Sequence, residues 1–273
     1  MAVTTPFQTL FAVPMTCDGC AKDITDALYK LPGINKVEAN VKDQLVSIEG
    51  TAAPSAIVAA IQATGRDAIL RGSGSSNSAA VSILETYHHH DGHTQEQNDA
   101  NVTPDISSGS WVNKRLVRGL ARMVQVSPTE TVVDLTVRGV PPGTYRATIR
   151  EYGNLKEGAE STGPVWASTT SSAASENGGS RGPRGYLGTI EVGPNGYGSA
   201  FINRPFQVWE VIGRALVVSR KDEEAEPLKN EEDTVVGVIA RSAGVWDNDK
   251  TVCSCTGKTL WEERKDEVAK GML

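Results

Sequence analysis

The chain has 273 residues, of which 39% are hydrophobic and 22% charged, and its formal net charge is −6. A chain of this length is predicted to fold as about two domains, each with a substantial core. The acidic balance argues against nucleic acid as a partner, and no apolar run reaches the roughly 18 residues of a membrane span. The N-terminus has no signal-peptide pattern. We therefore expect a cytoplasmic protein that binds neither nucleic acid nor membranes, and the mitochondrial intermembrane space is a second location compatible with the sequence.

The four cysteines form two close pairs at opposite ends of the chain, Cys17-x-x-Cys20 and Cys253-x-Cys255. In a reducing compartment, such pairs bind metal or exchange disulfides more often than they crosslink a fold. Thiolates are soft ligands that select Cu(I), zinc and iron–sulfur clusters. The two pairs therefore predict metal or redox chemistry at both ends of the chain.

Residues 1–72 show strand and helix patterns in the order βαββαβ, the ferredoxin-like arrangement. Apolar residues recur at helical spacing after the first cysteine pair and again after Pro54. Cys20 is predicted in the first turn of the first helix, where the helix dipole and free N–H groups favour a thiolate. We interpret this segment as a small metal-carrier domain.

Two alternatives for the first cysteine pair remain open. A thioredoxin-type redox pair has the same spacing, but the βαββαβ order is wrong for that fold, and a methionine precedes the motif where an aromatic residue is usual. A structural zinc site made by Cys17 and Cys20 with Cys253 and Cys255 requires the two ends to meet across a linker and a whole domain.

The motif Met15-Thr16-Cys17-x-x-Cys20 on the first loop of a βαββαβ domain resembles the heavy-metal-associated domain of copper chaperones and copper-transporting ATPases. The resemblance implies that Cys17 and Cys20 bind one Cu(I) ion and that Met15 packs beneath the loop.

Residues 73–78 are a Gly/Ser-rich linker that is predicted to let the carrier domain move. Residues 79–245 contain many strand-like runs separated by Gly/Pro-rich turns, which predicts an antiparallel Greek-key sandwich or barrel. All four histidines, at positions 88, 89, 90 and 93, lie in a long polar loop predicted over 85–112. A histidine cluster of this kind binds Cu(II) or zinc when exposed, and a low-complexity loop is the alternative. The predicted strands span 81–84, 116–126, 131–137, 145–150, 187–192, 199–202, 211–218 and 234–240.

Several motifs of this second domain resemble Cu,Zn superoxide dismutase and follow that family's order, among them Glu151-Tyr152-Gly153-Asn154 and Gly237-Val238-Ile239-Ala240. The resemblance implies that the family's metal-binding residues and disulfide cysteines are replaced. The positions of the metal-binding histidines hold Thr148, Arg150, Val165, Pro183 and Ser219, that of the zinc-binding aspartate holds Tyr186, and those of the disulfide cysteines hold Ala159 and Val236. Because these residues are not usual copper or zinc ligands, we predict no dismutase activity.

The segments that form the dimer interface of the dismutase family are retained, and the resemblance implies that they dock a partner. We expect a heterodimer with a Cu,Zn superoxide dismutase subunit, or pairing with a second copy of this chain. A sandwich kept only as a scaffold is the alternative. The expected docking residues are Tyr152, Gly153, Ile212, Gly213, Gly237, Val238 and Ile239.

Residues 246–273 form a tail that carries Cys253 and Cys255 and then a polar stretch with one tryptophan, predicted to be a weak helix or a flexible end. An internal disulfide in C-x-C is strained, so both thiols remain available to bind metal or to attack another disulfide.

The order of a carrier domain, a dismutase-like domain without metal ligands and a C-x-C tail resembles the copper chaperones for superoxide dismutase, in their fungal form. The resemblance implies that Cys17 and Cys20 acquire Cu(I). It also implies that Cys253 and Cys255 bind copper during its insertion and form the client's intramolecular disulfide by thiol exchange. We therefore expect a metallochaperone that is not an enzyme, and a thiol–disulfide oxidoreductase with incidental metal binding is the alternative.

Overall fold

The computed structural model describes residues 5–87, 102–104, 111–113, 116–167, 184–220, 228–248 and 257–269. Of these, 102–104, 111–113 and 267–269 are described through their backbone alone. The chain forms an N-terminal domain, a β-barrel and a C-terminal helix.

The N-terminal domain is a four-stranded antiparallel sheet with two helices packed on one face. Its elements are β1 (Phe7–Ala12), α1 (Asp18–Leu28), β2 (Ile34–Asn40), β3 (Leu45–Gly50), α2 (Pro54–Ala63) and β4 (Ile69–Ser73). Ile24 and Leu28 of α1, and Ile57 and Ile61 of α2, are one helical turn apart and are buried in a single core. The strand order β2-β3-β1-β4 confirms the predicted ferredoxin-like arrangement.

The second domain is an antiparallel barrel of eight strands. Its elements are β5 (Ala79–Thr86), β6 (Val102–Pro104), β7 (Trp111–Asn113), β8 (Val117–Gln125), β9 (Thr131–Arg138), β10 (Gly143–Ile149), a 3-10 turn (Gly158–Thr162), β11 (Tyr186–Val192), β12 (Tyr197–Arg204), α3 (Val208–Val211), β13 (Ala215–Ser219), β14 (Val235–Val238) and β15 (Ala240–Ser242). The order β14-β13-β10-β11-β12-β9-β8-β5 is closed by pairing of β14 with β5, and β15 also pairs with β5. Met123, Leu135 and Tyr145 fill the interior. The predicted Greek-key barrel is confirmed.

Three of the predicted segments of this domain are wrong in part. The run 234–240 is predicted as one strand, but β14 ends at Val238 and a separate strand, β15, begins at Ala240. The apolar run 211–218 was predicted as one strand, but Val208–Val211 form the helical turn α3, and β13 begins only at Ala215. Gln207 and Glu210 form a capping box that starts this turn, and an apolar run alone does not separate a buried strand from a helix. The long loop predicted over 85–112 is also shorter, because β5 extends through Thr86 and the backbones of β6 and β7 pair as a hairpin.

The segment between the two domains is hydrogen-bonded on both sides. The Gly74 N–H donates to the Gln8 carbonyl at 2.8 Å, and the Val245 N–H donates to the Gly74 carbonyl at 2.9 Å. A Cβ atom at Gly72 would lie 2.1 Å from the Gly244 carbonyl oxygen, so only glycine fits where these two backbone segments meet. The segment is therefore a tether bonded to both domains rather than the free linker that its composition predicts.

A carboxylate of the barrel caps a helix of the N-terminal domain. The residue before α2 is Ala53, whose side chain has no acceptor for the free N–H groups of the first turn. Asp134 of β9, which is buried, accepts hydrogen bonds from the Ser55 N–H at 2.8 Å and from the Ser55 hydroxyl at 2.6 Å. The Arg122 guanidinium on β8 lies 3.6 Å from the same carboxylate. Asp134 thus supplies from the barrel the cap that the helix lacks.

We expect Asp134→Ala to lower the free energy of unfolding by about 3 kcal/mol, because Arg122 is left without its buried partner and α2 loses its cap. The measurement is the midpoint of denaturant-induced unfolding of the full chain. Ser55→Ala is the matched control, since it removes one hydrogen bond and should cost about 1 kcal/mol. Equal effects of the two substitutions would contradict the capping role.

Candidate functional site

The first cysteine pair lies at the exposed start of α1. Cys17 is the residue before the helix, with an extended backbone (φ −158°, ψ 169°), and its carbonyl accepts the Cys20 N–H at 3.0 Å. The two sulfur atoms are 3.5 Å apart, with Cys17 exposed and Cys20 partly exposed. The structure therefore brings together the two thiols that the sequence predicted as one ligand pair, within reach of a docked molecule.

The loop that carries these thiols is supported from beneath. Met15 is fully buried in the core that contains Ile24 and Leu28, as the family resemblance implied. The Val13 N–H donates to the Gln44 carbonyl at 2.9 Å at the start of the loop. Both contacts fix the backbone while leaving the sulfur atoms at the surface.

The surroundings of Cys20 favour its thiolate. Hydrogen bonds from the Thr16 backbone and hydroxyl, then from Arg66 and Cys17, lower the pKa of the Cys20 thiol from 9.0 to about 6. Arg66 is itself oriented by hydrogen bonds to the Asp23 carboxylate at 3.3 Å and to the Thr64 carbonyl at 3.1 Å. Cys20 is therefore mostly ionised at neutral pH, which is the state that binds a soft metal.

The sequence interpretation missed Arg66. Gly65 (φ 79°) ends α2 and turns the chain back, and this turn brings Arg66 towards the cysteine loop. A glycine after an apolar run of helical spacing indicates a helix end, but a single arginine 46 positions after Cys20 gives no pattern that links the two.

We expect the rate of Cys20 alkylation by iodoacetamide to reach half its maximum near pH 6, because the thiolate is the reacting form. Arg66→Ala should move this midpoint to higher pH, and Arg66→Lys, which keeps the positive charge, should move it less. The measurement is site-resolved mass spectrometry after timed alkylation. A wild-type midpoint near 9.0, the value from which the pKa is lowered, would contradict the described environment.

The predicted docking residues lie close together on the barrel. A Cβ at Gly153 would lie 2.0 Å from the Gly213 carbonyl oxygen and 3.5 Å from the Val238 side chain, which shows how tightly these segments meet. Tyr152 is 57% exposed, and Val238 is at the surface as well. The prediction that Ile239 contacts a partner is wrong, because its side chain is buried in the barrel core. Ile239 instead supports the surface from behind, since its carbonyl accepts a hydrogen bond from the Gly213 N–H at 2.8 Å.

Ile83 belongs to the same surface, and the sequence interpretation missed it. Ser82 and Leu84 of β5 point into the barrel, so Ile83 points outwards and is 53% exposed. The Ile83 carbonyl oxygen would lie 1.9 Å from a Cβ atom at Gly237, so β5 and β14 approach closely at this point because position 237 is glycine. The sequence carried one indication of this position, because Ile83 is an apolar residue at a strand position that alternation places on the outer face. We define the docking surface as Ile83, Tyr152, Gly153, Ile212, Gly213, Gly237 and Val238.

Comparison with known proteins agrees with both parts of this architecture. The heavy-metal-associated domain model matches residues 9–67, and the copper/zinc superoxide dismutase model matches residues 117–240. The superoxide dismutase 1 copper chaperone of Saccharomyces cerevisiae is 39% identical over 100% of both chains, and that of Debaryomyces hansenii is 40% identical over 99% of each. The chain belongs to the family of copper chaperones for superoxide dismutase. The human copper chaperone for superoxide dismutase is 29% identical, over 95% of this chain and 89% of the human protein.

In this member of the copper chaperone family, the described barrel positions to which the resemblance assigns dismutase ligands lie on paired strands or a bridged segment, but their side chains form no ligand set. Thr148 pairs with Tyr186 across β10 and β11, and Arg150 forms a β-bridge with Val165. The Arg150 side chain donates to the Gly163 carbonyl at 3.0 Å. No three His, Cys, Asp or Glu side chains converge on a metal site among the residues that the structure describes. Ser219 is buried at the end of β13, and Pro183 lies outside the described residues.

The positions of the dismutase disulfide also lie together in this copper chaperone. Ala159 and Val236 are both buried in one apolar cluster with Ala215 and Val217. Apolar contact therefore replaces the covalent bond that the resemblance places at this point.

The tail of the copper chaperone is described on both sides of its cysteines. Cys253 and Cys255 lie outside the described residues, as do the four histidines of the polar loop, so the four-thiolate zinc alternative stays untested. Before the gap, Arg71 of β4 donates to the Asn248 carbonyl at 2.5 Å. After it, helix α4 (Leu260–Ala269) confirms the predicted weak helix, and its Arg264 lies 3.1 Å from the Asp67 carboxylate. None of the described helices has the length and apolar character needed to cross a bilayer.

Proposed function

We propose that this chain is a copper metallochaperone that docks on Cu,Zn superoxide dismutase, delivers Cu(I) and promotes formation of the client's intramolecular disulfide. The observation that carries the proposal is the combination of an exposed thiol pair 3.5 Å apart with a dismutase-like barrel whose own ligand positions hold Thr148, Arg150 and Val165. Such a chain carries copper in one domain and recognises its client with the other. It is not an enzyme of the dismutase type, because its barrel lacks the residues that would bind the metals.

Cu(I) is the cargo that fits the first cysteine pair. Two thiolates at the surface offer soft ligands in low number, which is the donor set that Cu(I) accepts. An incoming thiolate can replace one ligand at a time, so the ion passes to the client without being free in solution. The lowered pKa of Cys20 keeps a thiolate available at neutral pH without first removing a proton.

The docking surface is the proposed site of the client subunit. It presents exposed apolar side chains, Ile83, Tyr152 and Val238, around close backbone contacts at Gly153 and Gly213. Apolar centres of this kind dominate the binding energy of subunit interfaces. We propose a heterodimer with one dismutase subunit there, and pairing of two copies of this chain when the client is absent.

The anchoring of the tail supports cooperation between the two cysteine pairs. The chain from Asn248 to Arg264 begins and ends on the N-terminal domain, through Arg71 and Asp67. We propose that Cys253 and Cys255 take part in copper insertion from this position. When the chain carries Cu(I), dioxygen oxidises one tail thiol to a sulfenic acid and is itself reduced to hydrogen peroxide. A client thiolate attacks the oxidised sulfur and releases hydroxide, which leaves a mixed disulfide, and the second client thiolate then displaces the tail thiolate. The client is left with its disulfide and the tail is reduced.

An oxidoreductase with incidental metal binding makes a different prediction for the copper-free chain. The test mixes metal-free chain with disulfide-reduced, zinc-loaded client in air and counts client thiols by alkylation and mass spectrometry. We expect no disulfide formation above background until Cu(I) is added, and none with Cys17→Ser after Cu(I) addition. Copper-independent oxidation that persists in Cys17→Ser would support the oxidoreductase instead.

We also propose that the protein acts in the cytoplasm, with a fraction in the mitochondrial intermembrane space. Its four cysteines must stay reduced to bind Cu(I), which fits a reducing compartment. Immunoblots of fractionated cells with compartment markers test this, and exclusive recovery in a secretory fraction would contradict it.

A further inference from the structure

Trp166 is buried between two arginine side chains on one side of the barrel. The guanidinium carbons of Arg184 and Arg214 lie 4.7 Å and 5.0 Å from the centre of its ring, and Phe206 packs edge-on at 6.1 Å. Trp166 is only 4% exposed. Guanidinium groups stack on tryptophan more strongly where water is excluded, so these are effective cation–π contacts.

Both arginines of this group are held by acidic partners and carbonyls. Arg184 forms two hydrogen bonds to the Glu210 carboxylate, at 2.7 Å and 2.9 Å. Arg214 donates to the carbonyl and carboxylate of Glu151, at 2.7 Å and 3.0 Å, and to the Glu210 carbonyl at 2.9 Å. Burial acts to raise the pKa of Glu210, but the hydrogen bonds from Arg184 and Gln207 outweigh it and lower that pKa. Each charge therefore has a partner, and none is buried alone.

The stacked group lies directly behind the docking surface. Glu151 precedes Tyr152 in the turn after β10, and Arg214 follows Gly213 in the connection from α3 to β13. These two segments bond to each other, since the Ala215 N–H donates to the Tyr152 carbonyl at 3.2 Å. Movement of Arg214 would therefore move both segments.

The stacked group also fixes the segments on either side of the undescribed residues 168–183. The Trp166 N–H donates to the Ile149 carbonyl at 2.9 Å, and the Gly185 N–H donates to the Trp166 carbonyl at 2.8 Å. A Cβ at Gly185 would lie 2.3 Å from the Ile149 carbonyl oxygen, so this approach requires glycine. No group of three His, Cys, Asp or Glu side chains of metal-site type occurs among the described residues, and the stacking of Arg184 on Trp166 adds a side-chain contact to these backbone hydrogen bonds.

We propose that Arg184 and Trp166 are positioning residues for client docking. Through Arg214 and Glu151, they hold the turn at Tyr152 and the connection at Gly213 in the conformation that receives the client, and they do so without a metal ion. This inference rests on the proposed docking function.

The test measures the dissociation constant of the metal-free full chain for zinc-loaded, copper-free client, together with hydrogen exchange of the peptide that spans 150–155. Arg184→Ala should weaken docking about tenfold and speed exchange in this peptide. Trp166→Phe, which keeps a ring for stacking, should stay within about threefold of the wild type, whereas Trp166→Leu should lose about tenfold. Arg146→Ala is the matched control, because Arg146 also lies over a ring (Tyr186, 5.9 Å), and its strand neighbours, Thr189 and Ser219, do not belong to the docking surface.

Three outcomes would overturn the inference: unchanged docking in Arg184→Ala, equal docking in the phenylalanine and leucine variants at Trp166, or an equal loss in Arg146→Ala. The wild-type chain as purified and the same chain after dialysis against a zinc and copper chelator should dock equally well, and a loss on dialysis would show that a metal holds the turn instead. If Arg184→Ala lowers the unfolding midpoint of the whole chain, its docking loss could come from unfolding. The comparison of Trp166→Phe with Trp166→Leu then tests whether stacking is needed for docking. A wild-type chain that does not bind the client at all would count against the proposed function, not against this group.

Discussion

Replacing Ile83 and Val238 together by glutamate should weaken client docking by at least about a hundredfold. Both side chains are exposed on the docking surface, so the substitutions add charge without opening the barrel core. In the complex, each carboxylate would be moved from water into an apolar contact without a partner, which costs more than the lost apolar contact alone. Activation of the client should fall with docking, while Cu(I) binding by the N-terminal domain should not change.

The matched control for this pair is Tyr197→Glu. Tyr197 is exposed to a similar degree but belongs to β12, which lies across the barrel from β5 and β14 in the strand order. Its substitution should leave docking unchanged. Binding is measured by isothermal titration with zinc-loaded, copper-free client, and homodimerisation by sedimentation. If the double variant still docks with near wild-type affinity, the client binds elsewhere and the docking surface is wrong.

Replacing Cys253 and Cys255 together by serine should abolish client activation and leave docking intact. Serine keeps the size and polarity of the side chain but is neither a soft ligand nor a thiol that can exchange. The docking surface lies on the barrel, so its affinity for the client should not depend on the tail cysteines. The dismutase activity of the client and the dissociation constant of the variant for the client are measured on the same preparation.

Ser254→Ala is the control for the tail variant, since it changes the residue between the two cysteines and leaves both thiols in place. It should activate the client as the wild type does. Full activation by the double serine variant would remove the tail from the mechanism and leave Cys17 and Cys20 as the sole delivery site.

Local patterns were sufficient to predict the N-terminal domain. The helical spacing of Ile24 with Leu28 places one face of α1 in the core, and the cysteine motif before it then falls at the exposed helix start. The position of Cys20 in the first turn follows from these short-range rules alone. The barrel was recognised for a similar reason, because its strands and turns have strong composition signals.

Contacts between distant residues could not be predicted in the same way. Asp134 caps α2 from 79 positions away, and Arg184, Trp166 and Arg214 meet only after β10, β11 and α3 have come together. Aspartate and arginine are mostly exposed in folded proteins, and no alternation or spacing marks Asp134 as buried or Arg184 and Arg214 as partners of Trp166. The boundary of α3 escaped prediction because Val208 and Val211 are apolar in either a strand or a helix.

The most direct test of the central claim is activation of the client under conditions that exclude free copper. Cu(I)-loaded chain is mixed with disulfide-reduced, zinc-loaded, copper-free Cu,Zn superoxide dismutase in air, with a Cu(I) chelator in excess, and dismutase activity is followed. We expect activity to appear with the chain and not with an equal amount of chelated Cu(I), because the copper passes between bound thiolates. Association of the two proteins without activation would contradict delivery and leave this chain as a binding partner only.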